Sequence, residues 1–433
     1  MVVVRDTRLR ADAKIQTREI VTAAQDTADA INIFSQYMRT DVIFNDKLYL
    51  SSAFVPARIE HRNEEIRQIS SALAPVLRGF HPSNVFIYGT CGTGKTICTK
   101  FVVGQLNEMA KKNGHKLKVI YINCKMKKVA DTEYRLFAQL LKEMGEYVPD
   151  TGLPTDVLYR KFFEKVESTA GTTIIVLDEI DTLVKKVGDD FLYNLSRADM
   201  ELKKSHLTVI GITNDVGFKD YLDLRVKSSL SEEEIIFKPY NAMQLKDILL
   251  ERSKHGFKEN CVPESVLNKC AAIAAQEHGD ARRALDLLRV AGEIAERTGD
   301  QYVDETHVDT AEQKIDLDRI TETIKAQPRQ SQTVLYAVIK LRERAANQKK
   351  WVDSRLLTGD VYSMYTDICN SVGMKALTQR RVSDLIRELD MLGIIAAKVI
   401  SNGRYGRTRE IVLTMNEPVL SKIHAFLSDE FAC

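Results

Sequence analysis

The chain has few cysteines, and none is arranged to hold a metal. The seven, at 91, 98, 124, 261, 270, 369 and 433, form no CxxC pair and no Cys/His cluster. That excludes the common zinc frameworks and leaves free thiols in a reducing compartment as the plain reading. Long apolar runs are absent too: no stretch reaches the ~18 residues of a membrane span. The opening residues MVVVRDTRLRADAK lack the apolar stretch of a signal peptide, so a soluble, cytoplasmic protein is the expectation. There is no excess of charge. With 62 basic and 60 acidic residues the net charge is +2, which excludes both a polycation and the acidic surface of an extreme halophile. Any nucleic-acid surface must therefore be local. There is no fixed-period repeat and no low-complexity tract. What remains is a globular composition, 44% hydrophobic and 28% charged over 433 residues, enough for two to four domains at roughly 100–200 residues each.

Residues 1–40 are mixed polar and helical in pattern and carry no catalytic signature. Short apolar runs follow at Asn84–Gly89, Val119–Asn123, Thr173–Asp178, Leu207–Asn214 and Glu234–Phe237. They alternate with helical patterns, and their β-branched content and polar flanks predict the strands of a parallel sheet wrapped by helices. After Pro239 the pattern is helical only, over Asn241–His255, Pro263–His278 and Asp280–Arg297. From about Arg329 a third unit begins. It holds several helices and then a hairpin over Ile394–Leu413 with Asn402-Gly403 at its tip. The expected division is an N-terminal segment 1–40, an α/β domain 41–238, an all-α domain 239–325 and an α+β domain 326–433.

Residues 89–96 read GTCGTGKT and fit GxxxxGK[ST] between a predicted strand and a predicted helix, the context the motif requires. Gly94 lets the backbone wrap phosphates, so that Gly92, Thr93 and Gly94 turn amides inward. The helix that follows points its N-terminus at the anion. Lys95 supplies a mobile charge to the β/γ-phosphates, and the Thr96 hydroxyl suits Mg²⁺. Some 80 residues on, TIIVLDEID delivers two carboxylates at a strand end. Asp178 is the candidate for a Mg²⁺-bound water and Glu179 for the general base. Alone, an apolar strand ending in acids is a weak signal; after a P-loop it is a strong one. There is no NKxD guanine-reading motif, so adenine is the expected base. Asn214 ends the next strand and could orient the lytic water. Arg282 and Arg283 open a helix in GDARRAL, where one could reach the γ-phosphate and tie domain closure to ATP. The plain alternatives are a turn asparagine and a solvated helix face.

The segment 329–433 carries 16 Lys/Arg against 11 Asp/Glu, a local +5. Val382, Leu385, Ile386, Leu389 and Leu392 form an apolar stripe at helical spacing that should be buried. Thr378, Gln379, Arg380, Arg381, Asp384 and Arg387 are left for an outer face suited to the major groove. The hairpin adds Lys398, Arg404, Arg407 and Arg409 with Tyr405 near its tip. A recognition helix followed by a basic wing is the winged-helix plan; a small domain with solvated basic residues is the alternative. Lys125, Lys127 and Lys128 follow the second strand, and Asp131–Gly145 predicts an extra helix before Thr155–Ser168. Whether that insertion touches DNA or is decoration stays open.

Taken together, VPARIEHRNEEI (55–66), SNVFIYGTCGTGKT (83–96), IIVLDEID (174–181), ITND (212–215), RVKSSL (225–230), FKPY (237–240), GDARRAL (279–285) and the C-terminal unit resemble the archaeal replication initiator family, relatives of the eukaryotic origin recognition complex and Cdc6 proteins. The resemblance spans about 40–415. It implies an AAA+ fold with an all-α lid and a C-terminal winged-helix DNA-binding domain, and it matches the extra helix to the family's insertion. By position, it implies phosphate binding by Gly92 to Thr96 and roles toward Mg²⁺ and water for Asp178 and Glu179. Asn214 resembles the first sensor and Arg282 the second. Tyr240 and Arg252 resemble residues near the nucleotide, Tyr240 offering a ring beside adenine. Val55, Pro56 and the His61-Arg62 pair are weaker base-pocket candidates. Where many relatives have an arginine that reaches a neighbour's ATP, this chain has Ser229. Arg225 lies nearby, and the departure argues against ring-type catalysis in trans.

The expected function is an ATP-dependent replication initiator that binds duplex origin DNA and helps recruit or load the replicative helicase, with a paralogous initiator as a further expected partner. Its ATP hydrolysis would be slow and switch-like, with ATP/ADP and Mg²⁺ as ligands. A clamp-loader-like remodelling ATPase and a transcriptional regulator with a P-loop sensor domain are the rival readings.

Overall fold

The computed structural model describes residues 43–52, 54–125, 132–149, 152–198, 201–230, 232–347, 356–401, 407–415 and 417–431. The chain divides into two compact units, one ending at Ala311 and the other beginning at Glu312.

The first unit is built on strands β1 (Asn84–Tyr88), β2 (Leu117–Asn123), β3 (Thr172–Asp178), β4 (His206–Thr213) and β5 (Glu232–Ile236). They lie in the order β2-β3-β4-β1-β5, and all pairings are parallel. Every residue of β1 and β3 is buried, because a parallel sheet is covered on both faces. Val85, Ile87, Ile174, Val176, Ile210 and Ile212 share one core with helices α1 (Asn63–Leu73) and α2 (Lys95–Lys112). Phe86, Tyr88, Ile175, Leu177 and Val209 face the other. That core is completed by α3 (Glu133–Glu143), α4 (Thr155–Thr169), α5 (Ile180–Val187), α6 (Asp190–Ser196) and α7 (Leu224–Leu230). The helix expected from the insertion is α3, started by Thr132, whose side chain accepts from the Arg135 amide. With β1 between β4 and β5, the carboxyl ends of β1, β3 and β4 open on one edge, where ligands of such sheets bind.

The helical part comprises α8 (Ala242–Gly256), α9 (Glu264–Gln276) and α10 (Ala281–Thr298), and α11 (Glu305–Lys325) begins in it and runs on past Ala311 into the second unit. Its boundaries are written locally. Asn241 and Gln244 form a capping box, Pro263 precedes α9, Asp280 caps α10, and Gly299 ends α10 in the left-handed region. The stretch that precedes the sheet domain in sequence packs here: Phe44 bridges to Phe257 and stacks on it at 4.6 Å, and Lys47 pairs with the buried Glu296 at 3.0 Å.

The second unit holds α12 (Arg329–Asn347), β6 (Leu356–Leu357), α13 (Thr358–Ser371), α14 (Gln379–Met391), β7 (Ile395–Ser401), β8 (Arg407–Leu413) and α15 (Glu417–Glu430). Its antiparallel sheet runs β6-β8-β7. The hairpin pairs from Ile395 opposite Leu413 to Ser401 opposite Arg407; the expected tip lies outside the described residues, as do residues 1–40. Val382, Leu385, Ile386 and Leu389 of α14 are buried as the stripe predicts. Leu392 is not: it is 45% exposed, because the helix ends at Met391 and Leu392 is its cap. Helix, helix, recognition helix and wing make this unit a winged helix. Among the described residues no helix is long and apolar enough to cross a membrane.

Candidate functional site

The loop between β1 and α2 is shaped by two glycines. Gly94 caps α2 with φ 94°, and no side chain caps the first turn of that helix. Its leading amides are therefore left for an anion. Gly92, at φ 71°, lies against the helical part: a Cβ there would sit 1.6 Å from the Asp280 carboxylate. The Ala281 amide also donates to Gly92 O at 3.2 Å. The loop and the start of α10 are thus in direct contact, and only glycine fits between them.

Lys95 is buried, 5% exposed, and its Nζ donates to Gly89 O (2.8 Å), Thr90 O (2.7 Å) and Asn214 Oδ1 (2.9 Å). All three acceptors are neutral. Among the described residues it forms no ion pair within 4.0 Å. Burial pushes its pKa down to about 8, since a desolvated ammonium is costly without a counter-charge. A buried cation with neutral partners, beside uncapped amides, fits a phosphate group.

At the end of β3, Asp178 is 5% exposed. Its Oδ2 accepts from Thr96 Oγ1 at 3.0 Å and from the Tyr121 hydroxyl. Burial and the Asp178 carboxylate hold the Tyr121 phenol well above its ordinary pKa, so it stays a donor. Asp178 and Thr96 are hard oxygen donors side by side, the set that suits Mg²⁺. Glu179 begins α5 in the left-handed region at φ 57° and pairs with Lys125 Nζ at 3.4 Å. Lys127 and Lys128 lie outside the described residues.

These groups line one cavity of about 550 Å³. Residues 92–96, Asp178, Glu179, Asn214, Tyr240, Arg252 and Arg282 all reach it, with Ser52, Val55 and Pro56. The structure brings these sequence candidates together around one cavity. Arg282 Nη1 lies 3.7 Å from Cys91 Sγ, whereas Arg283 turns away to Glu277 at 3.0 Å. Tyr240 is buried, with its hydroxyl under Gly94 and the Arg62 guanidinium 3.9 Å from its ring centroid. Arg252 donates to Tyr49 O and Phe54 O, both at 3.2 Å. It thereby holds the strap that carries Ser52 and Val55 along the cavity wall. The His61-Arg62 pair does not line the cavity. Arg62 is spent on Thr93 O, Lys238 O and Glu65, and His61 on Asp247 at 2.9 Å.

Sequence reasoning missed Tyr121 and the Lys125 pairing. The available signal was position: Tyr121, Asn123 and Lys125 are alternate residues at the carboxyl end of a strand beside β3, and Asn123 pairs with Asp178. Farther along, Ser229 Oγ donates to Val226 O at 3.0 Å and lies 2.9 Å from Ser196 Oγ. Arg225 is exposed and pairs with Asp223 at 3.1 Å.

In the winged helix, Arg380 and Arg387 are exposed on α14. Arg381 is exposed as well but stands 3.9 Å from both Asp384 and Glu388. Arg409 Nη1 donates to Ser383 O at 2.8 Å, fastening the wing strand to α14. Arg404 lies outside the described residues, and so does the side chain of Arg407, whose backbone opens β8.

A P-loop after β1, carboxylates ending β3, an asparagine after β4 and a helical unit docked on the loop define an AAA+ ATPase module, here followed by a winged helix. The chain matches the family descriptions of an AAA domain over residues 78–215, a Cdc6 AAA+ ATPase-type lid domain over 246–313 and a Cdc6 C-terminal winged helix domain over 322–422. It is 49% identical over 397 residues to the ORC1-type DNA replication protein of Thermococcus kodakarensis, covering 91% of this chain and 93% of the relative. It is 47% identical to ORC1-type DNA replication protein 1 of Methanosarcina mazei, covering 92% and 93%. The solved structure of the Aeropyrum pernix ORC1 protein in complex with DNA superposes with a TM-score of 0.77 at 40% identity, covering 90% of this chain and 98% of that one. The chain belongs to the ORC1-type DNA replication protein family.

Proposed function

We propose that this protein is an ATP-controlled replication initiator that binds duplex DNA at origins and helps recruit the replicative helicase. The observation that carries the reading is Lys95, a buried ammonium with three neutral acceptors at the mouth of an uncapped helix, in a chain that also bears a winged helix. In this reading residues 92–96 cradle the phosphates of ATP or ADP, and Lys95 exchanges its carbonyl partners for β/γ-oxygens. Thr96 and Asp178 would hold Mg²⁺, which would supply positive charge against the phosphates. Glu179 takes the proton of the attacking water after leaving Lys125. Asn214 orients that water, and Arg282 reports the γ-phosphate to the lid. Tyr240 shapes the floor beneath the loop, and Arg252 keeps the strap in place beside the base.

Arg380, Arg381 and Arg387 on α14, with Arg404 and Arg407 of the wing, are the proposed DNA contacts. Hydrolysis is slow and serves as a switch, because Ser229 has no charge to lend a neighbour's ATP and Arg225 is engaged with Asp223. The working division is 41–238, 239–325 and 326–433, in a cytoplasmic protein associated with the nucleoid, with a paralogous initiator as a further partner.

The test is duplex binding by wild type and Glu179→Gln with ATP and with ADP. The reading predicts an affinity that differs between the two nucleotides. It also predicts that Glu179→Gln stays in the ATP-bound behaviour while its turnover falls on the order of 10²–10⁴-fold. DNA affinity indifferent to nucleotide but responsive to a small inducer would favour a transcriptional regulator.

A further inference from the structure

We infer that Tyr121 is a positioning residue for the metal carboxylate: its hydroxyl fixes the orientation of Asp178 and so sets the affinity of the nucleotide complex for Mg²⁺. The inference rests on the reading of Asp178 given above. Strands β2 and β3 are parallel, with Asn123 opposite Asp178, so Tyr121 lies two residues back on the same face as Asn123. Both line the cavity. The Tyr121 hydroxyl donates to Asp178 Oδ2, the same oxygen that accepts from Thr96 Oγ1 at 3.0 Å. The phenol ring is held from above by Lys100, whose Nζ is 4.7 Å from its centroid.

The two donors differ in what they can do. Thr96 divides its hydroxyl between two tasks: its O–H donates to Asp178 Oδ2, and its lone pairs would face the metal. Tyr121 sits on a strand, has only two side-chain torsions and is clamped against α2. Its hydroxyl has no task but to hold Oδ2, so that the other carboxylate oxygen would face the metal's coordination shell. Hydrogen-bond partners of this kind, one step removed from a metal, typically cost 10–100-fold in metal affinity when removed.

The experiment measures Mn²⁺ binding to the protein–ADP complex by electron paramagnetic resonance, for wild type and Tyr121→Phe, alongside metal-free binding of fluorescent ADP in EDTA. The substitution removes one oxygen and keeps the ring. Tyr121→Phe should weaken Mn²⁺ binding about 10-fold and leave metal-free ADP affinity unchanged. In an Asp178→Asn background it should add no further loss. Unchanged or tighter Mn²⁺ binding overturns the inference. So does an equal drop in metal-free ADP affinity, which would make Tyr121 part of the pocket wall, or a full additional loss beside Asp178→Asn. If the wild-type ADP complex binds no Mn²⁺, the reading of Asp178 itself fails and takes this role with it.

Discussion

The ammonium of Lys95 donates to Oδ1 of Asn214 at 2.9 Å, joining the phosphate loop to the end of β4 across 119 residues of chain. With Gly89 O and Thr90 O as its other acceptors, this cation is fully hydrogen-bonded yet lacks an anion. In the proposed reading, bound ATP supplies one and releases Asn214 to face the γ-phosphate.

A pH dependence follows. Burial brings the pKa of Lys95 down to about 8 in the free protein, whereas phosphates beside it favour the charged form and raise the pKa in the complex. Binding then takes up a proton at pH values above about 8. ATP affinity should be constant just below that pH and fall as pH rises through it, by at most about tenfold per pH unit. Lys95→Ala should bind far more weakly and lose this dependence. Titration calorimetry at about pH 9, in two buffers of different ionisation enthalpy, reads the proton uptake directly. Equal heats in both buffers would contradict this proton linkage.

The state of Arg225 bears on how hydrolysis is controlled. In a ring ATPase a neighbour's arginine is worth about 10³–10⁵ in rate. By the resemblance the equivalent position is Ser229, which is bonded within its own chain, and Arg225 pairs with Asp223. The rate per molecule should therefore be low and independent of protein concentration, with or without Arg225→Ala. Steady-state phosphate release across a wide concentration range checks this. A steep rise that Arg225→Ala abolishes would establish a ring.

DNA contacts should separate by kind. Arg380 and Arg387 are exposed on α14; they are the proposed base contacts, so Arg380→Ala or Arg387→Ala should change sequence preference, by ~1–3 kcal/mol at the affected base. Arg381→Ala should cost less, because Asp384 and Glu388 already compete for that guanidinium. Arg404→Ala with Arg407→Ala should weaken binding to all duplexes alike and flatten the log K against log salt slope by roughly two. An unchanged slope would take the wing out of the interface.

Much of this was legible in sequence because its signals are local. The five strands, the P-loop at 89–96, the carboxylates of TIIVLDE and the helix starts at Asn241 and Asp280 are each read from neighbours in the chain, and the structure sets these elements within a residue or two of expectation. Contacts across long separations were not legible. Arg252 was expected beside the nucleotide, and it does line the cavity, but its guanidinium is bonded to Tyr49 O and Phe54 O, backbone atoms with no sequence signature. Arg62 was a base-pocket candidate and is instead committed to Thr93 O and Lys238 O. The Tyr121 bond to Asp178 depends on strand register, which only the assembled sheet sets. Leu392 failed for a different reason: the apolar period continues one residue past the point where the helix stops.

The most direct test of the central claim, that this chain marks replication origins under ATP control, is genome-wide mapping of the DNA it occupies in growing cells, beside a map of replication start sites. The account predicts one or a few sharp sites coincident with replication starts, lost with Lys95→Ala. Occupancy spread across promoters, or absent from the start sites, would contradict it.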